Sequence, residues 1–447
     1  MSWVKRKILI LGLSKSGVSA AKYLNKNGAD VFITEIREKT PDDEKLINEL
    51  QSLGIQVETG EHSKEFIKDS YLAVTSPGIP PHSEIFKMLE AEKIPVISEI
   101  ELAYRESRKP FIAITGTNGK TTTTALISYI LSKEFKAPEC GNIGNPPCDF
   151  LNEKIDYFVC EMSSYQIATS NSFQAQIACW LNFAPDHLDW HNGVENYFEA
   201  KAKLFKVPLN PAFAVFNGTD EKLLAFSKEV KSEIFLFAKE VEDNCCYIKE
   251  GSIYFKHNKK EEKIVDLKDC RLVGEHNYQN IMCAVIVAKL VGLDNEKISA
   301  AIKEFKAPEH RLEYVGDYKG IAFYNDSKAT NPEAAIVAIK SFEEQNVVLI
   351  AGGRDKNTDL TEFCMEVKNH IKTVILIGEA AERFDENLKK NGFNNIIFEK
   401  TLKNAIERAI ELNPQVILLS PACASFDMFK SYEERGKVFK DYVLSKI

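Results

Sequence analysis

Three features of the sequence predict an α/β fold in three domains. The first is a series of short apolar runs that close on glycine or a small polar residue and lead into a helical pattern: "KILILGLSKSG", "FIAITGTNGK", "VVLIAGGRDK", "TVILIGEAAE" and "VILLSPACAS". Apolar strands alternating with helices form parallel sheets covered on both faces, with ligands beyond the carboxyl ends of the strands. The second is length, since 447 residues exceed what one hydrophobic core serves. The third is a pair of charged, proline-containing passages, "AYRESRKPF" at 103–111 and "EFKAPEHRLE" at 304–313. They divide the chain into 1–109, 110–307 and 308–447. The first and last parts read as Rossmann-like. The middle part reads as a P-loop ATPase-like domain with a mainly parallel sheet, and its charged stretch 256–269 as a solvated hairpin.

Composition narrows the function. With 57 basic and 65 acidic residues the net charge is -8, which argues against nucleic acid and anionic membranes but leaves small anionic ligands open. The ten cysteines include no C-x-x-C pair and lie in apolar segments such as "YFVCEM", as expected of a reduced cytoplasmic protein. The start, "MSWVKRKILILGL", imitates a signal peptide, but its apolar run stops at Gly12 and Lys15 and reads as a buried strand. No segment approaches the ~20 apolar residues of a membrane span. A soluble monomer is expected.

The turn after the first strand, "ILILGLSKSGVSAAKYL", keeps Gly12 and Gly17 at the outer positions of G-x-G-x-x-G but has Ser14 in the middle. Glu35 ends the next strand at the distance of a ribose-binding carboxylate. Without the middle glycine, close approach of a dinucleotide pyrophosphate is obstructed, so a nucleotide-diphosphate site is favoured over NAD. A turn that binds nothing is the alternative.

The second turn, "FIAITGTNGKTTTTALISYI", departs from G-x-x-x-x-G-K-[ST], because Ile114 stands where the first glycine belongs. Gly116 and Gly119 enclose a shorter loop. Strand, glycines, Lys120-Thr121 and helix together still predict a phosphate site: backbone N–H groups at the helix start face the anion, Lys120 adds charge, and the Thr121 hydroxyl suits Mg²⁺. The bland alternative is an ordinary glycine turn with a solvated lysine. Glu161, near the end of the strand in "DYFVCEMSSYQI", adds a second hard oxygen ligand. Asp186, His187, Asp189 and His191 lack the cysteine pair or H-E-x-x-H of a zinc site, and histidines so placed are more often structural than ligands.

In order along the chain, "GTNGKTT", "EMSSYQ", "NFAPDHLDWH", "YFEAKAKLF", "GEHNYQN", "HRLE", "NDSKATNP", "GGRDK" and "SPACASFDMF" resemble the Mur ligase family. "NDSKATN" with "SPACASFD" resembles its D-glutamate-adding pattern. The resemblance spans nearly the whole chain and implies an ATP-dependent ligase of peptidoglycan precursor synthesis working through an acyl phosphate. Its substrates would be UDP-N-acetylmuramoyl-L-alanine, D-glutamate and ATP. It implies two Mg²⁺ ions, one on Thr121 and Glu161, the other on His187 and a carbamylated Lys201. ATP would meet Gly116, Thr117, Asn118, Gly119, Lys120, Thr121 and Thr122, with Asn277 and Asn280 at adenine and Arg311, Asp326 and Lys328 from the third domain. The uridine-diphosphate site maps to Leu13, Ser14, Glu35, Arg37, Ser76, Pro77 and Gly78, with Asn142 near the muramoyl group. D-Glutamate would lie among Thr330, Lys356, Ser425, Phe426 and Tyr432. Another Mur ligase or a folylpolyglutamate synthase-like amide ligase is the alternative. In "NYFEAKAKLF", Tyr197, Lys201 and Leu204 share a helical face by their spacing, which would turn Lys201 inward.

Overall fold

Central strands rich in isoleucine, leucine and valine and buried on both faces anchor three sheets. The computed structural model describes residues 2–185, 188–272, 274–307, 309–342, 345–355 and 358–447. The first sheet holds β1 (Lys7–Leu11), β2 (Asp30–Glu35), β3 (Gln56–Thr59), β4 (Leu72–Thr75) and β5 (Val96–Ser98). All are parallel, in the order β3-β2-β1-β4-β5. The apolar start of the chain is a buried strand, as expected, and a central one, since Ile10 pairs with Ile33 on one side and Val74 on the other. The strand order reverses between β1 and β4, which opens a crevice above their carboxyl ends.

The second sheet comprises β6 (Phe111–Thr115), β7 (Glu139–Gly141), β8 (Phe158–Glu161), β9 (Ile177–Trp180), β10 (Phe213–Asn217), β11 (Glu233–Phe237), β12 (Cys245–Lys249), β13 (Ser252–His257) and β14 (Lys260–Asp266). Its order is β14-β13-β12-β11-β10-β9-β6-β8-β7. The strands are parallel except β13, which runs antiparallel to β12 and β14. The charged stretch 256–269 therefore contributes to a hairpin, and that hairpin continues the main sheet. The third sheet, β15 (Glu313–Tyr318), β16 (Ile321–Asn325), β17 (Val347–Gly352), β18 (Thr373–Ile377), β19 (Ile396–Phe398) and β20 (Val416–Leu419), is ordered β15-β16-β20-β17-β18-β19. Only β15 is antiparallel.

The chain forms two compact units, residues 1–269 with 279–302, and residues 270–278 with 303–447. No boundary signal in the sequence foretells that 270–278 packs with the later residues. Within the first unit the first two sheets are fastened through the helix Glu99–Glu106. The Glu101 carboxylate accepts from the backbone N–H of Asn171 (3.1 Å), Ser172 (3.0 Å) and Phe173 (2.8 Å) and from Arg105 Nε (2.8 Å). Glu99 accepts from Cys148 N (2.8 Å), and burial pushes its carboxyl up to about 7. All ten cysteines are buried thiols, in keeping with their use as small hydrophobes. Among the described residues no helix is long and apolar enough to cross a membrane.

Candidate active site

β6 is buried throughout, and at its carboxyl end the chain turns through Gly116 to Gly119 into the helix Lys120–Leu131. Gly119 caps it with φ +82°, a conformation that disfavours side chains. A Cβ at this position would also stand 2.7 Å from Asn280 Oδ1. The loop is shaped by Asn182, a residue to which sequence reasoning gave no role. Its Oδ1 accepts from Thr117 N (3.1 Å) and Asn118 N (2.8 Å), and its Nδ2 donates to Asn118 O (3.1 Å). The available signal was a polar residue just past β9, the strand beside β6. Lys120 Nζ folds back over the loop and donates to Gly116 O (2.9 Å) and Thr117 O (2.8 Å). A cation is thus held where an anion approaches the helix N-terminus. Ile114 is a buried strand residue, and the loop closes without a glycine there.

Beside the loop is a cluster of oxygen donors. Thr121 Oγ1 donates to Glu161 Oε2 (2.9 Å) and Asn142 Nδ2 donates to Glu161 Oε1 (2.9 Å). Thr121 and Glu161 are both buried. A hydroxyl and a carboxylate this close suit a hard cation that a phosphate would share, so this donor set fits Mg²⁺. Thr122 is buried in the first helical turn, and Thr123 Oγ1 donates to Asn280 Oδ1 (3.0 Å). Asn280 therefore braces the threonine run and leaves no room for a side chain at position 119. His187 lies outside the described residues. His191 is buried with Nε2 2.8 Å from Ser164 Oγ, as expected of a structural histidine.

Tyr197, Lys201 and Leu204 are all buried, although Leu204 belongs to the 3₁₀ turn Lys203–Phe205 that follows the helix Val194–Ala202. Lys201 is 1% exposed, and its Nζ donates to Gly116 O at 2.9 Å and reaches Thr115 Oγ1 at 3.4 Å. The lysine faces the phosphate loop.

The first-sheet residues converge at the β1/β4 crevice. Ser14 Oγ donates to Ser76 Oγ (2.7 Å) and accepts from Gly17 N (3.4 Å), so the serine in place of the middle glycine caps the helix Lys15–Lys26. A Cβ on Gly17 would fall 2.4 Å from Gly12 O, which accounts for the outer glycine. Glu35 accepts from Leu13 N (3.0 Å) and Arg37 N (3.0 Å) and holds the turn. Arg37 is exposed and paired with Asp43 (2.8 Å). Pro77 and Gly78 follow Ser76 directly after β4.

In the second unit, the turns after β16, β17 and β20 meet around Arg435, a buried residue that sequence reasoning missed. Its guanidinium donates to Ser327 Oγ (2.9 Å), Ser327 O (2.8 Å), Cys423 O (3.0 Å) and Ala424 O (3.3 Å). Ser327 Oγ in turn donates to Tyr432 O (2.8 Å), and Lys328 Nζ lies 5.5 Å from the Tyr432 ring centroid. Lys328 O accepts from Thr330 N (2.9 Å). Ser425 is buried beside Ala424, whereas Phe426 is exposed. Lys356 lies outside the described residues. Asp326 is buried, and desolvation pushes its carboxyl up to about 7 against hydrogen bonds from Ser420 Oγ (2.7 Å) and Leu312 N (3.1 Å). Arg311 also lowers that value and is flanked by His310 (φ +65°) and Leu312 (φ +45°). Two left-handed non-glycine residues, one on each side of the arginine, store backbone strain in this turn. Asn277 is buried and lines a cavity of about 880 Å³ with Arg271, Lys306, Tyr314 and Lys440.

A nucleotide-phosphate loop beside a carboxylate-hydroxyl cluster, in a chain of three α/β sheets, defines an ATP-using enzyme. The chain belongs to the Mur ligase family. Residues 6–98 match the MurD-like N-terminal domain, 114–288 the Mur ligase middle domain and 310–423 the glutamate ligase domain of Mur ligases. It is 40% identical over 446 residues to UDP-N-acetylmuramoylalanine--D-glutamate ligase of Thermoanaerobacter pseudethanolicus, covering 98% of each chain. It is also 40% identical over 442 residues to the ligase of that name from Bacillus cereus, covering 97% of this chain and 96% of the other. The structure of MurF ligase from Thermotoga maritima in complex with ADP superposes with a TM-score of 0.62 at 14% identity, over 100% and 99% of the two chains, and shows the shared fold.

Proposed function

We propose that the chain forms the amide bond between the alanyl carboxylate of UDP-N-acetylmuramoyl-L-alanine and the amine of D-glutamate at the expense of ATP, a step of peptidoglycan precursor synthesis. The observation that carries this reading is the Lys120 loop set against the Thr121–Glu161–Asn142 cluster in a full-length relative of D-glutamate-adding ligases.

The acceptor carboxylate attacks the γ-phosphorus of ATP, giving an acyl phosphate and ADP. The D-glutamate amine attacks the acyl carbon, and the tetrahedral intermediate expels phosphate. Both steps bring anions together, so this chain's task is to supply fixed positive charge and N–H donors. Lys120 and the amides of 117–121 hold the transferring phosphoryl group. Bound Mg²⁺ supplies further charge neutralisation between the meeting oxygens. We place one ion on Thr121 and Glu161, and a second on His187 and a carbamate of Lys201. Asn142 orients Glu161 and borders the muramoyl group. Leu13, Ser14, Glu35, Arg37, Ser76, Pro77 and Gly78 form the uridine-diphosphate site. Asn277, Asn280, Arg311, Asp326 and Lys328 are assigned to the nucleotide, and Thr330, Lys356, Ser425, Phe426 and Tyr432 to D-glutamate, by the resemblance. Domains at 1–109, 110–307 and 308–447, a monomeric state and a cytoplasmic location complete the proposal.

A folylpolyglutamate synthase-like ligase shares such an ATP loop, but the resemblance gives it no domain of this kind ahead of the loop. Acceptor labelled with ¹⁸O in its alanyl carboxylate tests the route. One labelled oxygen should leave in the released phosphate and the other remain in the amide. Unlabelled phosphate would exclude the acyl phosphate.

A further inference from the structure

The uridine turn and the cation cluster are joined by one side chain that neither site accounts for. Lys15, the first residue of the helix Lys15–Lys26, reaches from the first sheet to the loop after β7. Its Nζ donates to Gly144 O (2.7 Å) and Asn145 Oδ1 (2.9 Å). Both partners lie in the same compact unit as Lys15. Most surface lysines contribute little through such contacts, since water competes for the ammonium. Here the acceptors belong to a loop pinned at its other end to Glu161.

Asn145 O accepts from Gly141 N (3.2 Å), Asn142 N donates to Glu161 O (2.9 Å), and Asn142 Nδ2 donates to Glu161 Oε1 (2.9 Å). Gly141 has φ +94°, and a Cβ there would fall 2.3 Å from Glu161 O, so the loop lies tight on β8. Glu161 Oε2 accepts from Thr121 in the first turn of the phosphate-binding helix. An unbroken run of contacts therefore leads from the turn that holds Ser14 to the oxygens that suit Mg²⁺. The loop it crosses has no other side-chain tie to the uridine turn among the described contacts.

We propose that Lys15 is a positioning residue that holds loop 142–145 against the uridine turn, so that Asn142 presents Glu161 correctly and the acceptor and cation sites are coupled. This rests on the proposed function for the identity of the acceptor. The tests are calorimetric titrations of Mg²⁺ in the presence of ADP, and of UDP-N-acetylmuramoyl-L-alanine, on the full chain and on Lys15→Met, Lys15→Arg, Asn145→Ala and the double variant Lys15→Met/Asn145→Ala. Loss of one charged hydrogen-bonding contact predicts that Lys15→Met weakens both ligands roughly 5- to 30-fold. Lys15→Arg should restore most of the loss, and the double variant should be no worse than Lys15→Met alone. Wild-type affinity of Lys15→Met for either ligand would overturn the proposal. So would effects that add in the double variant, or weakening that Lys15→Arg does not relieve and that accompanies a lowered melting temperature. Failure of the unaltered protein to bind the acceptor would refute the functional reading itself, while binding without turnover would refute the reaction and leave the role of Lys15 standing.

Discussion

Lys120→Ala is expected to lower turnover on the order of 10²- to 10³-fold or more, the cost of removing one preorganised stabiliser of a transferring oxyanion. The Lys120 ammonium rests on two carbonyls of its own loop, Gly116 O and Thr117 O. Those carbonyls are neutral acceptors, whereas a phosphate oxygen carries negative charge and adds Coulombic attraction for the ammonium, so it competes with them favourably. The loop itself is held by Asn182, whose side chain bonds the backbone of Thr117 and Asn118. The loop should therefore keep its shape in the variant, and the loss should appear in kcat more than in folding. Pre-steady-state phosphate release together with a thermal melt separates the two. Near-normal turnover in a folded Lys120→Ala protein would contradict the assignment of the loop.

Lys201→Ala is expected to abolish most activity, with partial rescue by millimolar acetate and none by amines. An ammonium has no lone pair for a cation and repels it. Addition of carbon dioxide to the neutral amine forms an N–C bond, releases one proton and leaves a carbamate with two oxygens and a negative charge. The Lys201 side chain is buried against Gly116, Thr115 and the Tyr197 ring, and so is aimed at the loop where those oxygens are needed. Acetate would supply the oxygens in the vacated space. Intact-mass measurement under gentle conditions adds a readout independent of activity, since the carbamate adds the mass of carbon dioxide. Full activity of Lys201→Ala in carbon-dioxide-depleted buffer would contradict the carbamate.

Much of the architecture was legible because parallel strands must be apolar on both faces, and β1, β6, β17, β18 and β20 are read directly as such runs. The phosphate loop was legible because Gly119 and Lys120-Thr121 sit at a strand-to-helix turn. Lys201 was legible only as a position on an inward face, and its proposed chemistry came from the family resemblance. Asn182, Arg435 and Lys15 were not legible, since each acts across a long sequence separation on a carbonyl or amide that leaves no periodic trace. Arg435 resembles any charged residue near the start of an exposed helix. Only the folded chain shows it buried, with four hydrogen bonds to the turns after β16 and β20. The antiparallel extension by β13 was hidden because a charge run fits a free hairpin as well as a sheet edge.

The most direct test of the central claim is phosphate release by the purified chain with ATP, Mg²⁺ and UDP-N-acetylmuramoyl-L-alanine, against a panel of D-glutamate, L-glutamate, L-lysine and diaminopimelate. The account predicts release only when D-glutamate and the acceptor are both present, with one ADP and one phosphate for each amide formed. Equal release with L-lysine or diaminopimelate, or release with D-glutamate that does not depend on the acceptor, would contradict it.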